Sequence, residues 1–176
     1  MFKSVIDSEL SLALVQESFA PYYAEIVQTQ TDYLAQWLAW PPHCQSEQDF
    51  RIFIQRCLHD YAEGKSMTCA IWYQERLVGN CSFNVINHDL GKVTIGYWLS
   101  KEEQGKGIMT RVVNKLIEIA FGELEMKKVE AFVATENQPS RKLCERLGFT
   151  YEGTITRAEN LNGRIVDHAI YGLQKA

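Results

Sequence analysis

The spacing of hydrophobic positions along the chain changes several times, and each change marks the border of a predicted element. Leu10, Leu12 and Leu14 alternate with smaller residues, which predicts a first strand. Residues from about 16 to 40 are predicted to form a helix, which ends at Pro41-Pro42 because proline cannot continue one.

Three more helices are predicted from the signals at their ends. Ser46 and Asp49 form an N-cap pattern before apolar residues at helical spacing, and Gly64 ends that helix. Another helix with one apolar face is predicted over Ile108–Phe121. A short helix is predicted over 139–147, because proline suits its first position and a glycine follows its last one.

The remaining strands are short apolar runs bounded by turn residues. They are predicted at Met67–Tyr73, Arg76–Asn87, Lys92–Leu99, Lys128–Thr135, Tyr151–Ala158 and Arg164–Leu173. Short turns favour an antiparallel meander for the first three, and Asn162-Gly163 favours a hairpin between the last two. The order of elements predicts one α/β (α+β) domain over residues 1–176, with a mixed, mostly antiparallel central sheet of about seven strands flanked by helices.

Composition and charge narrow the class of protein. The chain has 176 residues, 46% of them hydrophobic and 23% charged, as expected for an ordinary globular domain. A net charge of −4 argues against direct nucleic-acid binding, and no apolar run approaches the roughly 20 residues that a membrane span needs. The five cysteines include no C-x-x-C pair and the four histidines show no metal-ligand spacing, so we expect no metal and a cytoplasmic location.

The segment from Gln104 to Met109, here called the cradle, lies between a predicted strand and a predicted helix. Its two glycines allow a turn in which several backbone N–H groups point into one small space. The start of the helix adds the positive end of its dipole to that space. The cradle is therefore predicted to bind an anion, and pyrophosphate is the expected one.

Together with residues farther along the chain, the cradle resembles that of the GNAT superfamily of acetyl-CoA-dependent N-acetyltransferases. The family pattern Arg/Gln-x-x-Gly-x-Gly/Ala matches Gln104 and Gly107, while Met109 takes its last position. An Asn upstream of a Gly-Phe pair corresponds to Asn137 and Gly148-Phe149. Similarity to the RimL-like group, the ribosomal-protein-serine N-acetyltransferases, rests on Trp37–Pro41, Ile95–Leu99, Gln104–Met109 and Ala158–Asn162.

The resemblance implies that the chain uses acetyl-CoA. It assigns the CoA pyrophosphate to the backbone of the cradle residues Gln104, Gly105, Lys106, Gly107, Ile108 and Met109. It further implies that the pantetheine arm pairs with the strand end Tyr97, Trp98 and Leu99, and that Asn137 and Ser140 contact the cofactor near its thioester. Gly96 within this strand indicates a bulge or a close backbone approach.

Two residues are candidates for the transfer step. Many family members protonate the departing thiolate with a tyrosine, but Cys144 occupies that position here. In the RimL-like pattern Ser140 replaces it, because its hydroxyl can donate to sulfur near a helix start; its alternative role is to cap that helix. The same pattern makes Glu159 the base that takes the proton of the amine, and the alternative is an ordinary loop glutamate.

The acceptor is the least determined part of the prediction. The resemblance suggests a groove floored by Tyr33, Trp37 and Trp40, although aromatic residues at helical spacing are more often core or dimer contacts. The predicted acceptor is the N-terminal α-amine of a protein, such as a ribosomal protein, which attacks directly in a ternary complex. Two alternatives stay open: a polyamine or aminoglycoside as acceptor, or an acyl-CoA-binding module without catalysis. RimL-like relatives imply a homodimer.

Overall fold

The computed structural model describes residues 3–176. Within them, eight strands form one mixed sheet. In chain order the strands are β1 (Lys3–Val5), β2 (Leu10–Leu14), β3 (Met67–Tyr73), β4 (Arg76–Asn87), β5 (Lys92–Leu99), β6 (Lys128–Ala134), β7 (Thr150–Leu161) and β8 (Arg164–Gln174). Their order across the sheet is β1-β2-β3-β4-β5-β6-β8-β7. Only β5 and β6 pair in parallel, so the sheet is mixed and mostly antiparallel, as predicted.

The helices of the described residues are α1 (Ala20–Ala35), α2 (Glu47–Ala62), α3 (Ile108–Glu118) and α4 (Gln138–Arg146). The predicted N-cap of α2 is confirmed, because the Ser46 hydroxyl accepts from the N–H of Asp49 and the Asp49 carboxylate accepts from the N–H of Ser46. Gly64 and Gly148 follow α2 and α4 with φ angles of +71° and +83°. These left-handed conformations favour glycine and explain why both helices end there.

The predicted strands Met67–Tyr73, Arg76–Asn87 and Lys92–Leu99 are confirmed at both ends, and they form the expected antiparallel meander. The hairpin turn at Asn162-Gly163 is also confirmed, since both residues have positive φ. These elements depend on local alternation and on turn residues, so the sequence pattern is sufficient to predict them.

The first helix is shorter than predicted at both ends, since it runs from Ala20 to Ala35 and not from about 16 to 40. Beyond it, Trp37 packs against a small cluster that includes Leu161, whereas Trp40 contacts the rings of Phe50 and Trp98. Because the helix has ended, the two indole rings lie in different clusters. This packing depends on partners far along the sequence.

Other borders also differ from the prediction. A strand at Lys3–Val5 is added to the predicted set, because three residues are too short to show a hydrophobic pattern. The helix predicted to reach Phe121 becomes a π-helical turn over Ile119–Glu123. β7 continues past Ala158 to Leu161, because a bulge shifts its register against β8. Glu159 therefore lies in a strand and not in a loop.

The helices cover the sheet from both sides. One apolar cluster joins α1 and α2 to one face of the sheet, where Ala70 and Trp98 lie. A second cluster joins α3 and α4 to the opposite face, where Ile95 and Leu99 lie. Within residues 3–176, no helix has the length and apolar character needed to cross a membrane.

Candidate active site

The parallel strands β5 and β6 pair only over the first part of their length. Their register runs from Lys92–Lys128 to Ile95–Ala131. Beyond this point the two strands no longer pair with each other, although β5 stays paired with β4 and β6 with β8. This opens a gap between Gly96–Leu99 of β5 and Phe132–Ala134 of β6, here called the fork. The carboxyl ends of parallel strands are where open α/β sheets usually bind ligands.

The ladder between β4 and β5 decides which backbone groups face the fork. The N–H of Ser100 donates to the carbonyl of Val78 at 2.8 Å, so these residues form a hydrogen-bonded antiparallel pair. Such pairs alternate along a ladder, and Trp98 and Gly96 therefore also direct their backbone groups at β4. Tyr97, which lies between them, must direct its N–H and C=O toward the fork.

Gly96 is a point of close approach, as its position in a strand indicated. A Cβ at Gly96 would lie 2.5 Å from Nδ2 of Asn84. The bulge itself lies in β4, because the register shifts between Phe83 and Val85 and leaves Asn84 as the extra residue. Of the two alternatives expected at Gly96, the close approach is found at the glycine itself, and the bulge lies in the neighbouring strand.

The cradle connects β5 to α3 and has the geometry of an anion site. Gly105 and Gly107 have φ angles of +76° and +70°, which L side chains rarely adopt. Gly107 is the N-cap of α3, and no side chain in the described part of the chain caps this helix. The first N–H groups of α3 and the positive end of its dipole therefore remain available to a bound anion.

Two cations, one within the cradle and one on α3, already have anionic partners. Nζ of Lys106 lies 2.7 Å from the carboxylate of Glu103, and that buried carboxylate also accepts from Arg76 at 2.8 Å. Arg111 of α3 pairs with Asp7 at 2.7 Å. The Asp7 pKa is lowered, first by the backbone N–H of Glu9 and then by the Arg111 guanidinium. In this structure the backbone is thus the main free donor of the cradle.

Asn137 and Ser140 lie together at the start of α4, on the β6 side of the fork. Asn137 is the N-cap of this helix, and its Oδ1 accepts from the N–H of Ser140 at 3.3 Å. The Ser140 hydroxyl is therefore not the cap, and it lies 2.7 Å from the hydroxyl of Tyr97 on β5. Burial raises the pKa of Cys144 to about 11, so this thiol stays protonated near neutral pH.

Glu159 is held beside the end of β6. One of its carboxylate oxygens lies 3.3 Å from Nε2 of His168, which pairs across the sheet with Ala134, the last residue of β6. The turn after β7 is fixed to the segment after α1, because Asn162 contacts His43 at 2.9 Å. Glu159 is about one-third exposed, so solvent can reach it from this end of the sheet.

A pocket of about 590 Å³ lies on the α1/α2 face of the sheet, next to the fork. Its walls include four aromatic side chains whose rings contact one another: Tyr23, Trp40, Phe50 and Trp98. Gly96 and Tyr97 of β5 also line it. This aromatic pocket and the α3/α4 layer therefore lie on opposite sides of the same strand.

The floor of the aromatic pocket is polar and neutral. Thr68, Ser82 and Gly96 form one row across β3, β4 and β5, and the Thr68 and Ser82 side chains are buried. Asn80 is also buried, and its Oδ1 accepts from the Tyr23 hydroxyl at 2.7 Å, which leaves its amide N–H groups for the pocket. These side chains were missed by the sequence reading. Polar residues at alternate positions of the otherwise apolar strand β4 are the signal that could have found them.

The three aromatic residues assigned to an acceptor groove separate in the structure. Trp40 lines the aromatic pocket. Tyr33 lies near Lys101, whose Nζ is 5.9 Å from the centre of the tyrosine ring. Trp37 lies under Arg164, whose Cζ is 5.0 Å from the centre of the indole ring. Of the three, Trp40 is the one placed to contact a molecule in the pocket. No cluster of metal-binding side chains occurs in the part of the chain that the structure describes.

A sheet that opens between two parallel strands, beside an uncapped helix start with left-handed glycines, suits an acyltransferase that binds the pyrophosphate of CoA. The chain belongs to the GNAT acetyltransferase family, whose model, described as "Acetyltransferase (GNAT) domain", matches residues 10–150. It is an N-acetyltransferase that uses acetyl-CoA as its acetyl donor.

Individual relatives agree with this assignment, and two of the three named here are ribosomal-protein acetyltransferases. The ribosomal-protein-serine acetyltransferase of Escherichia coli K12 is 31% identical over 167 residues, covering 94% of this chain and 93% of the relative. The structure of RimL, a ribosomal alpha-N-protein acetyltransferase, in complex with coenzyme A has a TM-score of 0.94 at 28% identity and 98% coverage of both chains. The microcin C7 self-immunity acetyltransferase MccE, in complex with acetyl-CoA and AMP, has a TM-score of 0.92 at 30% identity, with coverage of 97% and 94%.

Proposed function

We propose that the chain transfers the acetyl group of acetyl-CoA to the N-terminal α-amine of a protein, with a ribosomal protein as the expected acceptor. The observation that carries the proposal is the charge of the aromatic pocket. Of the described residues that line it, Asp49 is the one carboxylate, and its side chain already accepts from the backbone N–H groups of Gln45 and Ser46. A chain terminus with a single amine suits such a pocket.

The same pocket disfavours a polyamine or an aminoglycoside. Each carries several positive charges, and burying them requires paired carboxylates. Arg56 and His43 line the pocket together with Asp49, so it offers no surplus of negative charge. The amide N–H groups of Asn80 instead suit the carbonyl oxygens of a peptide.

Two parts of the chain bind acetyl-CoA in this proposal. The cradle, Gln104 to Met109, holds the pyrophosphate of acetyl-CoA through its backbone N–H groups, and Tyr97 to Leu99 hold the pantetheine arm along the fork. Bound acetyl-CoA supplies the thioester whose acetyl group is transferred. The N–H of Tyr97, which points into the fork, is placed to donate to the acetyl oxygen as charge develops on it.

Ser140 and Glu159 take part in the two proton transfers of the reaction, at the leaving sulfur and at the amine. Ser140 hydrogen-bonds the sulfur as the C–S bond breaks, and the start of α4 favours the negative charge there. Glu159, reached directly or through one water, accepts the proton that the amine loses. An α-amine needs only a modest base, because its pKa is about 7.7–8.0, whereas that of a lysine is about 10.4. The amine attacks the thioester directly in a ternary complex, and the buried thiol of Cys144 takes no covalent part.

The test is release of free thiol from acetyl-CoA, followed with a disulfide reagent. The acceptors are a peptide that begins with serine, the same peptide beginning with alanine, the serine peptide with its N-terminus blocked but with an internal lysine, spermidine, and no acceptor. Thiol release with the free peptides alone supports the proposal. Equal or faster release with spermidine contradicts it, and release independent of any acceptor points to hydrolysis.

The natural acceptor can be sought among small proteins. Incubation of a cell extract with the enzyme and acetyl-CoA should raise the intact mass of its acceptor by about 42 Da, the increment of one acetyl group. Fragmentation then locates the group. A modified α-amine supports the proposal, and modification confined to lysine side chains contradicts it.

We further propose that the chain is a cytoplasmic homodimer. All five cysteines are free thiols, which suits a reducing compartment. Phe132 and Ile155 lie on the sheet face opposite α4 and are 45% and 53% exposed, so they offer an apolar surface to a second copy. Light scattering should give twice the chain mass, and Phe132→Glu should give monomers; a monomeric wild-type protein at micromolar concentration contradicts the dimer.

A further inference from the structure

One contact bridges the fork from β5 to α4. The hydroxyl of Tyr97 lies 2.7 Å from the hydroxyl of Ser140, although the two residues are 43 positions apart in the chain. The contact brings a phenol to the serine that the proposed function uses at the leaving sulfur. Its effect depends on which hydroxyl donates.

The relative acidity of the two hydroxyls favours Tyr97 as the donor. Burial raises the pKa of the Tyr97 phenol, so it keeps its proton throughout the neutral range. A phenol is a stronger acid than an alcohol, and the stronger acid donates in a pair of hydroxyls. The Ser140 oxygen then accepts, and its own proton is free to point elsewhere.

Ser140 itself is fixed in place, so the direction of its proton matters. Its backbone N–H donates to Asn137, which holds the residue in the first turn of α4. A hydroxyl that accepts one hydrogen bond becomes a stronger donor of the next, because each bond polarises its neighbour.

We propose that Tyr97 is a positioning residue, whose hydroxyl donates to Ser140 and so directs the serine proton at the sulfur of the leaving thiol. The inference rests on the proposed function of Ser140. In the step, the amine nitrogen bonds to the acetyl carbon, the C–S bond breaks and its electron pair stays on sulfur. The amine gives one proton to Glu159, which passes it to water, and the thiolate takes one proton from water through the Ser140 hydroxyl. The products are an amide and a thiol, and both side chains return to their starting state.

Cys144 lies one turn farther along α4 than Ser140, and after burial it is the next group that raises the pKa of Tyr97. Its thiol is buried and is a weak hydrogen-bond acceptor compared with a serine oxygen. The reverse arrangement, with Ser140 donating to Tyr97 and Tyr97 to Cys144, would occupy the serine proton. The two arrangements predict opposite effects of removing the phenol hydroxyl.

The experiment is a double-mutant cycle of Tyr97→Phe and Ser140→Ala, read as kcat and as KM for acetyl-CoA. The acceptor is whichever compound gives the fastest thiol release in the screen above, so a wrong acceptor class contradicts the proposed function without affecting this test. Tyr151→Phe is the matched control, because the half-exposed Tyr151 also contacts a hydroxyl, that of Thr154, at 2.6 Å, and neither residue reaches the fork. Thermal unfolding of each variant shows that it is folded.

We expect Tyr97→Phe to lower kcat by about three- to tenfold, the effect of one neutral hydrogen bond, and to change KM for acetyl-CoA by less than about twofold. Ser140→Ala should lower kcat on the order of 100-fold. In the Ser140→Ala background, Tyr97→Phe should have no further effect, because its partner is gone. Tyr151→Phe should leave both constants unchanged.

Three results would overturn the inference. A Tyr97→Phe enzyme with wild-type or higher kcat would favour the reverse direction of donation. Multiplicative losses in the double variant would show that Tyr97 acts without Ser140. A rise in KM that accounts for the whole loss of kcat/KM would assign Tyr97 to binding alone.

Discussion

Replacing Gly107 by alanine tests whether the cradle is a backbone anion site. Gly107 has a φ of +70°, and a Cβ added there would meet no other atom of the protein within 4 Å. The substitution therefore costs backbone strain alone, about 1–2 kcal/mol. For a domain of this size we expect Tm to fall by roughly 2–8 °C.

The loss of binding free energy for CoA should be larger than the free energy of this backbone strain. Gly107 is the N-cap of α3 and sets the direction of the N–H groups that follow it. Loss of one hydrogen bond to a charged group is worth about 1.5–3 kcal/mol. The Kd for CoA should therefore rise about 10- to 150-fold.

Gly148→Ala separates the two effects. Gly148 has a φ of +83° and equally open space around its missing Cβ, but it follows the end of α4 and lies outside the cradle. It should lose similar stability and keep the wild-type Kd. The assay is titration calorimetry with CoA, together with thermal unfolding of each variant. If Gly107→Ala and Gly148→Ala bind CoA with the same Kd, the backbone of the cradle does not bind the pyrophosphate.

Three further predictions follow from the site. Glu159→Gln should lower kcat on the order of 100-fold with little change in KM for acetyl-CoA, and an unchanged kcat near neutral pH would remove Glu159 from the mechanism. Glu103→Gln removes a negative charge beside the cradle and frees Lys106, so CoA should bind about fivefold more tightly at low salt, and the gain should shrink at high salt; weaker binding at low salt would show that the ion pair shapes the loop instead. Because burial raises the pKa of Cys144 to about 11, its thiolate is present below that pH only as a small fraction that grows as pH rises. Iodoacetamide at neutral pH should modify it only after denaturation, as peptide mass mapping can measure, and rapid modification of the folded protein would contradict its burial.

The parts of the fold that the sequence predicts correctly depend on neighbours a few positions away. The capping box of Ser46 and Asp49 closes within one helical turn, and Asn162-Gly163 adopts its turn without help from other elements. The glycines of the cradle belong to the same class. Both adopt the left-handed conformation, which is a property of the residue type and needs no distant partner.

The parts that the sequence does not predict depend on contacts between distant segments. Trp37 and Trp40 have similar surroundings in the sequence, yet one packs under Arg164 and the other lines the pocket. Glu159 was expected in a loop, and its strand position depends on a bulge that only the pairing with β8 reveals. Local propensity contains no information about either partner.

The position of β5 explains how one strand can serve both substrates. Successive side chains point to opposite faces, so Trp98 lines the aromatic pocket while Tyr97 contacts Ser140 on the α4 side. The backbone of Tyr97 faces a third direction, into the fork, because β6 has separated from it. A thioester held in the fork would therefore lie between an acceptor in the aromatic pocket on one face and Ser140 on the other. The separation of two parallel strands after Ile95 and Ala131 is what makes direct transfer between them geometrically possible.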